Sequence, residues 1–461
     1  MAFLVGGANS AADTGPYDID NSCRFETDTY MTKSISSGNT RTFTLSFWVK
    51  KTTVSSGLYS YLASFYQDSS NRISIGFYND DAFFVLAEDG GEARVYLKTD
   101  RLFRDPAAWY HIAIAIDTTQ GTDTNRAKLY VNGVQETSFS AATYPDEDQE
   151  LILNTNFYVG TYNASSNWFY GYMAEYVYID GTALAPSSFG ETDEDSGIWK
   201  PIKVSGLTFG TNGFYLDFEA SDNLGNDAKG GTDLTETNLV ATDQTTDTPT
   251  NNFATMNPLA ISSYASLGEG NTYVIGNTSS DNGNADCTFA PTKGKWYIES
   301  KAINASDTSY PRLGAAPARL LGRLQNANPG IAGQLTPSFN YQSDGNKSLN
   351  GAQTSHGDVW EDDDIISVKL DLDNQAVYYA INDIIQNSGT ALATGSTYFG
   401  TGENTMLNVA VYNGINLYMN FGNPAYAISS SNADANGYGN FEYEVPSGYY
   451  ALCTKNLAEY G

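Results

Sequence analysis

The first 200 residues alternate between apolar and polar positions, with a period of two, over many short stretches. Residues 43–49 alternate strictly, and the apolar side chains that then share one face are Phe43, Leu45, Phe47 and Val49. Residues 73–77 and 95–97 repeat the pattern. A period of two is typical of a β-strand with one buried face. The chain therefore begins with several predicted strands.

A longer apolar stretch, residues 109–117, has large Ile side chains on one side and small Ala side chains on the other. This predicts a central strand that is covered on both faces. After a polar loop at residues 118–126, a further strand ends at Asn132-Gly133, a pair that is typical of a hairpin turn. Residues 170–181 predict a last strong strand, which ends at Asp180-Gly181. Many short strands with weak helix signals favour a β-sandwich or jelly roll.

Residues 217–258 differ in composition, because Asp, Asn, Thr and Gly dominate them and apolar periodicity is almost absent. Such a segment is typical of a connector. Just before it, residues 213–218 predict one more strand of the first domain.

Alternation returns in the last 200 residues and is clearest at residues 366–373. We expect Ile366, Val368, Leu370 and Leu372 to point inward and Ser367, Lys369, Asp371 and Asp373 to point outward. A tight Asn374-Gln375 turn leads to the hairpin partner at residues 377–383. The sequence thus predicts an all-β chain of two antiparallel β-sandwich (jelly-roll) domains, residues 1–205 and 259–461, joined by a strand and polar connector at residues 206–258.

Three motifs in the first domain, FTLSFWVKK, WYHIAIAID…AKLYVNG and FYGYMAEYVYIDGTALAPSSFGE, resemble the laminin-G-like branch of the concanavalin-A-like lectin and glucanase jelly rolls. That resemblance implies two packed antiparallel sheets, one of them concave. The strings KGKWYIES, GDVW…DIISVKLDLDN and LYMNFG resemble a SPRY domain, a bent β-sandwich that binds proteins. Residues 302–340, with Arg312, Arg319 and Arg323, depart from the SPRY pattern and predict a short helix or long loop.

The charge balance excludes several classes of partner. Lys and Arg number 24 against 53 Asp and Glu, which gives a formal net charge of −29 at pH 7. Nucleic acids and anionic membranes are recognised by clustered basic residues, so neither is expected as a partner. We also see no secretory signal and no apolar run near the ~18 residues of a membrane span. Cys23, Cys287 and Cys453 are too far apart for a CxxC site, and we expect them to be buried apolar side chains.

No catalytic residue is predicted. A glucanase of this superfamily needs paired carboxylates in a Glu-x-Asp-x-x-Glu pattern on one strand. The sequences that follow Glu26 and Glu191 lack the second Glu, and the acidic run at residues 147–150 sits among turn residues. His111 falls at a strand start and is expected to be structural, whereas His356 falls in a Ser-His-Gly-Asp loop, where a triad of sequence neighbours is excluded.

No cofactor is predicted, and calcium is the one metal that the sequence leaves open. Laminin-G-like jelly rolls often bind it on a loop rim, and acidic turns occur at residues 80–81, 146–148 and 361–364. None has the spacing of a calcium loop, so we assign no metal ligand. Trp168, in a polar loop, is a candidate for stacking on a sugar ring.

The order of the two domains and the strings TPTNNFATMNPL and ALCTKNL resemble virion proteins of tailed bacteriophages, especially marine and cyanobacterial phages. This resemblance implies a non-enzymatic virion component, a tail fibre or receptor-binding appendage that recognises a host surface glycan or protein. It also implies virion-protein partners in tail or capsid and a homo-oligomer, with a trimer favoured. The alternatives are a capsid decoration or horn-like protein and a glycan depolymerase. Because the surface is acidic, we expect uncharged Tyr, Trp, Asn and Thr side chains on loops to make the contacts with the ligand.

Overall fold

In a computed structural model, the chain divides into two compact units, one spanning Asp13–Thr250 and the other containing Asn251–Gly461. The structure describes residues 4–5, 17–54, 57–277, 282–305, 310–320 and 334–461. Among these residues, no helix is long and apolar enough to cross a membrane. The predicted all-β fold class is confirmed, since antiparallel sheets make up nearly all of the regular structure.

The first unit contains two eight-stranded antiparallel sheets, which we call sheet I and sheet II. In spatial order, sheet I consists of Val134–Gln135, Ala127–Val131, Trp109–Asp117, Thr42–Lys51, Gly171–Asp180, Ser22–Phe25 and Gln244–Thr245, with Phe214–Leu216 beside Gly171–Asp180. Sheet II consists of Phe139–Thr143, Glu92–Leu102, Ala82–Asp89, Asn71–Phe77, Ser60–Asp68, Asn156–Val159, Tyr30–Ser34 and Thr235–Thr237.

The predicted faces of this unit are confirmed. The side chains of Phe43, Leu45, Phe47 and Val49 all lie in one apolar core, together with the Ile side chains of Trp109–Asp117. Asn132 and Gly133 both have positive φ, 48° and 75°, as a two-residue hairpin turn requires. Alternation along each strand therefore places every second side chain in the core and leaves the others on the outer sides of the sheets.

The second unit contains a seven-stranded sheet III and a nine-stranded sheet IV. Sheet III consists of Met256–Ile261, Gly283–Cys287, Thr405–Val411, Arg312–Pro317, Phe339–Gln342, Asn346–Leu349 and Ala352–Ser355. Sheet IV consists of Ala265–Gly268, Tyr273–Gly276, Asn416–Asn420, Lys295–Ile303, Ile365–Asp371, Ala376–Ile381 and Ile384–Ile385, with Ala393–Thr394 beside Ala376–Ile381 and Tyr450–Ala451 beside Lys295–Ile303.

The remaining elements are short. Two strand pairs lie apart from the large sheets, namely Leu4–Val5 with Phe289–Ala290 and Gly190–Thr192 with Trp199–Pro201. The helices are Asp123–Arg126, Ser396–Phe399 and Thr454–Tyr460, and the 3₁₀ turns are Pro186–Ser188, Ala241–Asp243, Ala318–Leu320 and Gln386–Gly389.

The polar segment that was expected to be a connector is part of the first unit instead. Residues up to Thr250 belong to that unit, and strands Thr235–Thr237 and Gln244–Thr245 pair with both of its sheets. The three leucines of the segment that lie in the core are Leu224, Leu234 and Leu239. Three well-spaced leucines and short strand pairs are too sparse to produce a visible periodicity, which is why composition alone suggested a linker.

Buried ion pairs hold this segment in place. Lys50 Nζ lies 2.7 Å from Asp247 Oδ2, and both side chains are completely buried. Trp109 Nε1 donates a hydrogen bond of 3.0 Å to the other oxygen of Asp247. Arg24, also buried, pairs with Asp243 at 3.1 Å. Two basic side chains on inner strands of sheet I are thus paired with carboxylates of the acidic segment.

The hairpin Ile365–Asp371 and Ala376–Ile381 in the second unit was predicted correctly, but part of its outward face is covered. Ser367 is buried, and its Oγ lies 2.9 Å from the Tyr297 hydroxyl. Tyr297 packs edge-on against Phe441 at 5.1 Å between ring centroids. The chain end around Phe441 therefore covers a face that alternation alone assigned to water.

The departure expected at residues 302–340 is partly wrong. Arg312 begins the regular strand Arg312–Pro317, and Arg319 lies in a single 3₁₀ turn. Arg323 lies outside the described residues.

Replacing Asp247 with Asn should lower the free energy of unfolding of the first unit by about 3 kcal/mol or more, because the buried Lys50 ammonium group would lose the carboxylate that lies 2.7 Å from it. The measurement is denaturant-induced unfolding of the full chain. Asp148→Asn is the matched control, since the Asp148 pair with Arg41 is exposed and should contribute little. Equal losses in the two variants would contradict the role given to the buried pair.

Candidate functional site

His111 and the three cysteines that the sequence singled out are buried. His111 is buried, and its Nε2 lies 2.9 Å from Ser46 Oγ. The ring of Trp48 packs on it at 5.0 Å, and burial lowers the pKa of His111 to about 3, so the ring is neutral. The prediction for Cys23, Cys287 and Cys453 is confirmed, since all three thiols are free and buried.

The acidic turns considered for calcium are occupied by internal partners. Their carboxylates pair as follows: Asp80 with Lys98, Asp81 with Lys51 and Arg104, Glu147 with Arg126, Asp148 with Arg41, and Asp363 with Lys301. In the part of the chain that the structure describes, no three His, Cys, Asp or Glu side chains come together as a metal site.

An aromatic surface lies on the outer side of sheet II. We call it the tyrosine face, and its members are Tyr30, Tyr59, Tyr61, Tyr66, Tyr78, Tyr96, Tyr158, Tyr162 and Trp168, all partly exposed. The strand pattern explains their position. In Ser60–Asp68, for example, Ala63 and Phe65 point into the core, so Tyr66 points outward.

Ring contacts join most members of the tyrosine face in two groups, one formed by Tyr59, Tyr61, Tyr66, Tyr78 and Tyr162 and the other by Tyr30, Tyr158 and Trp168. Tyr162 lies 4.9 Å from Tyr61 and 5.0 Å from Tyr66, measured between ring centroids. Tyr30 stacks on Trp168 at 5.8 Å with an interplanar angle of 23°. The rings therefore hold one another in place, and a ligand would meet them without a large loss of side-chain freedom.

Charges on the tyrosine face are neutralised locally. Lys98 Nζ lies 3.8 Å from the centre of the Tyr78 ring and 2.7 Å from Asp80 Oδ2. Arg72 lies over the Tyr162 ring at 5.5 Å and pairs with Glu88 on the adjacent strand. Each of these two cations therefore already has an acidic partner, and the surface around them presents ring faces and hydroxyl groups. Apolar C–H faces and hydroxyl groups are what a neutral sugar ring presents in return.

Two buried serines lie on the same side of the sheet. Ser64 and Ser74 face each other on adjacent strands, and both are completely buried. Their hydroxyl groups have no hydrogen-bond partner among the described residues. The centre of the tyrosine face is therefore polar underneath its rings.

A cleft of about 580 Å³ on sheet I is a second feature of the first unit. At its base lies Glu175, which is 6% exposed and sits in a β-bulge with a positive φ of 49°. The hydroxyls of Tyr17 and Tyr215 donate to its carboxylate at 3.0 and 2.8 Å. Burial is the main cause that raises the pKa of Glu175 to about 7, and Asp217 nearby also raises it. A strained, buried carboxyl group in a cleft is a candidate for chemistry.

Sequence reasoning found only part of these features. Trp168 was identified, and it belongs to the tyrosine face. The outward tyrosines of sheet II were missed, although their alternation with core residues in stretches such as residues 60–66 carries the signal. Glu175 was read as one position of a regular strand, and its signal is a single acid in the run YMAEYVYI.

Comparison with known proteins gives a family match for part of the chain. Residues 25–187, about one third of the chain, match the model described as the concanavalin A-like lectin/glucanases superfamily. A search of curated proteins found no match.

Several solved structures are similar to part of the chain. The SPRY domain of human HERC1 is 14% identical, with 36% of this chain and 96% of that chain covered and a TM-score of 0.29. The PSpry domain of TRIM65 is 18% identical, with 36% and 91% covered and a TM-score of 0.27. A heptameric SAP-like pentraxin from Limulus polyphemus is 15% identical, with 37% and 80% covered and a TM-score of 0.28. The lectin-type β-sandwich fold of the first unit fits a carbohydrate- or protein-binding role.

Proposed function

We propose that this chain is a non-enzymatic binding component of a tailed-bacteriophage virion, a tail fibre or receptor-binding appendage that recognises a host surface glycan. The tyrosine face is the observation that carries the binding proposal. The virion setting is supported by the sequence strings that resemble phage virion proteins and by the acidic composition.

A glycan suits the tyrosine face for three reasons. The side chains of Trp168 and Tyr158 are partly exposed, and their rings can pack against the C–H face of a sugar. Phenol hydroxyls lie beside these rings and can donate or accept hydrogen bonds. Finally, Arg72 and Lys98 are already paired with acidic side chains, so neither cation needs an anionic ligand to neutralise it.

A capsid decoration or horn-like protein is the alternative within the same class. In that case the lectin-type fold would serve as a packing module on the shell, whereas a fibre contacts tail proteins and occurs in few copies. A symmetric homo-oligomer, most simply a trimer, fits either location. The exposed aromatic surface favours the appendage, because a packing module has no need for aromatic groups open to solvent.

A glycan depolymerase is the second candidate function, and Glu175 is the observation that favours it. A carboxyl group with a pKa near 7 can act as a general acid, and Asp217 and Glu219 line the same cleft. The two tyrosine hydroxyls bonded to Glu175 are the opposing observation, since they occupy the carboxyl oxygens that would transfer a proton.

Incubation of the purified full chain with a bacterial surface polysaccharide that it binds should release no new reducing ends, because we propose binding without hydrolysis. A time course of reducing-end formation is the measurement, with a heat-denatured sample as the control. Release that disappears in Glu175→Gln would establish the depolymerase instead.

Replacing Trp168 or Tyr158 with Ala should weaken binding of that polysaccharide at least tenfold for each variant, because each removes a ring on which a sugar would stack. Binding to an array of bacterial surface polysaccharides identifies the glycan, and surface plasmon resonance then gives the affinities.

Tyr130→Ala is the matched control for both variants. Tyr130 is a partly exposed tyrosine on a strand of sheet I, outside the tyrosine face. Unchanged affinity in this variant, with weaker binding in the other two, supports the proposal. An equal effect of all three substitutions, or none in the tyrosine face, would exclude this surface as the glycan site.

Glu175→Gln should change how stability depends on pH. The pKa of Glu175 is about 7 in the folded chain against 4.5 ordinarily, so folding favours the protonated group. Its contribution is complete below pH 4.5 and is lost as the pH rises to 7. The variant should therefore gain stability relative to the wild type across this window, by about 3 kcal/mol.

Denaturant unfolding at a series of pH values measures this change, with Glu191→Gln as the control for an exposed glutamate. A stability difference between Glu175→Gln and the wild type that stays constant between pH 4.5 and 7 would show that the carboxyl group titrates normally.

A further inference from the structure

The second unit has a polar pocket of about 420 Å³ that the proposed function does not use. It opens where the edge strand Ala352–Ser355 of sheet III ends, beside the edge strand Ile384–Ile385 of sheet IV. The side chains that line it and enter the argument are Ser355, His356, Asp358, Ile385, Asn387 and Ser388.

The base of this pocket is held rigidly by backbone contacts. The Gly345 carbonyl accepts hydrogen bonds from the backbone N–H groups of His356 and Gly357, at 2.9 and 3.0 Å. Gln386 Oε1 accepts from the Asp358 N–H at 2.8 Å. A Cβ atom on Gly357 would lie only 2.7 Å from Gln386 Oε1 and from the Tyr341 hydroxyl, so a larger residue at this position would displace these two side chains. The pocket is therefore formed before any ligand arrives.

His356 supplies a buried hydrogen-bond donor among the residues that line this pocket. Its side chain is 6% exposed, and Asn387 Nδ2 lies 3.4 Å from its Nδ1. An amide nitrogen can only donate, so Nδ1 accepts. Burial, with the nearby Lys347 as a second cause, lowers the pKa of His356 to about 4. The ring is thus neutral at pH 7, and its proton sits on Nε2.

That Nε2 proton has no acceptor among the described residues. Buried donors are almost always bonded in native proteins, so the unpaired Nε2 of His356, a residue that lines the pocket, indicates a missing acceptor. The strained backbone of Asn387 and Ser388, with φ of 51° and 54°, holds their polar side chains at the same rim.

The other groups at the rim define the chemistry of the ligand. The hydroxyls of Ser355 and Ser388 can donate and accept, and the Asp358 carboxylate can only accept. Ile385 adds a partly exposed apolar side chain. A ligand with several hydroxyl groups and one apolar face complements this set, and neither a strong anion nor an extended apolar group does.

We propose that this pocket binds a single neutral sugar unit. A sugar hydroxyl accepts the hydrogen bond from His356 Nε2, other hydroxyls donate to Asp358 and exchange hydrogen bonds with Ser388, and the C–H face packs against Ile385. The site lies in the second unit and shares no residue with the tyrosine face, so each can fail without the other.

The chain contains only two histidines, which makes the test direct. The full chain labelled with isotopes in histidine alone gives two ring signals in NMR, and His111, buried in the first unit, serves as the internal reference. The probes are methyl glucoside, methyl galactoside, methyl mannoside and N-acetylglucosamine, each added to about 100 mM, which saturates a site with a Kd of ~10 mM.

We expect at least one sugar to shift the His356 signal saturably while the His111 signal stays in place. Ser388→Ala and Asp358→Asn should each weaken that sugar about fivefold or more, since each removes one hydrogen-bonding partner. Thr354→Ala, an exposed change beside the pocket, is the matched control and should have no effect.

Three results would overturn the proposal. The first is a His356 signal that no sugar moves. The second is an equal shift with glycerol, which would mean that any polyol enters the pocket. The third is a shift with N-acetylglycine N-methylamide but with none of the sugars, which would assign the pocket to a peptide.

Discussion

The buried ion pair between Lys50 and Asp247 is the contact on which the first unit depends. Lys50 lies on an inner strand of sheet I, and Asp247 lies in the acidic segment that returns to it after almost 200 residues. The Asp247 carboxylate offsets the cost of burying the Lys50 ammonium group, so this contact stabilises the folded-back position of the segment. Trp109 completes the arrangement through its hydrogen bond to Asp247.

The acidic segment also lies beside the cleft on sheet I that contains Glu175. Asp217, the first residue of this segment, lines the cleft, and Tyr215 on the strand just before it donates a hydrogen bond from its hydroxyl to Glu175. Asp227, fully buried, accepts a hydrogen bond from the backbone of Tyr215. Part of the negative charge of the chain is therefore structural, since acids such as Asp227 and Asp247 lie inside the fold rather than on a solvated surface.

Alternation along strands is the part of the structure that the sequence predicts best. Residues 43–49 and 366–371 have patterns that follow directly from side chains pointing to opposite faces, and both lie in regular strands. Alternation alone cannot tell which outer face will be covered. Ser367 is buried because a distant chain end packs over it, whereas Tyr66 stays partly exposed on an equivalent outward position.

The candidate sites were harder to predict for a related reason. The tyrosine face consists of residues from strands and loops that are far apart in sequence, from Tyr30 to Trp168, so no local sequence motif indicates it. Glu175 becomes unusual only through a bulge that turns it into a covered cleft. His356 was recognised as a loop histidine, but its unpaired Nε2 depends on the distant Asn387, which fixes the tautomer.

The central claim is that the tyrosine face is displayed on a virus particle for recognition of the host. An electron-microscopy map of the intact particle, at a resolution that allows this chain to be placed, tests it most directly. The account predicts that the chain lies on the tail with Trp168 and Tyr158 facing outward and uncovered. A position on the capsid shell, or a neighbouring virion protein packed over these two rings, would contradict it.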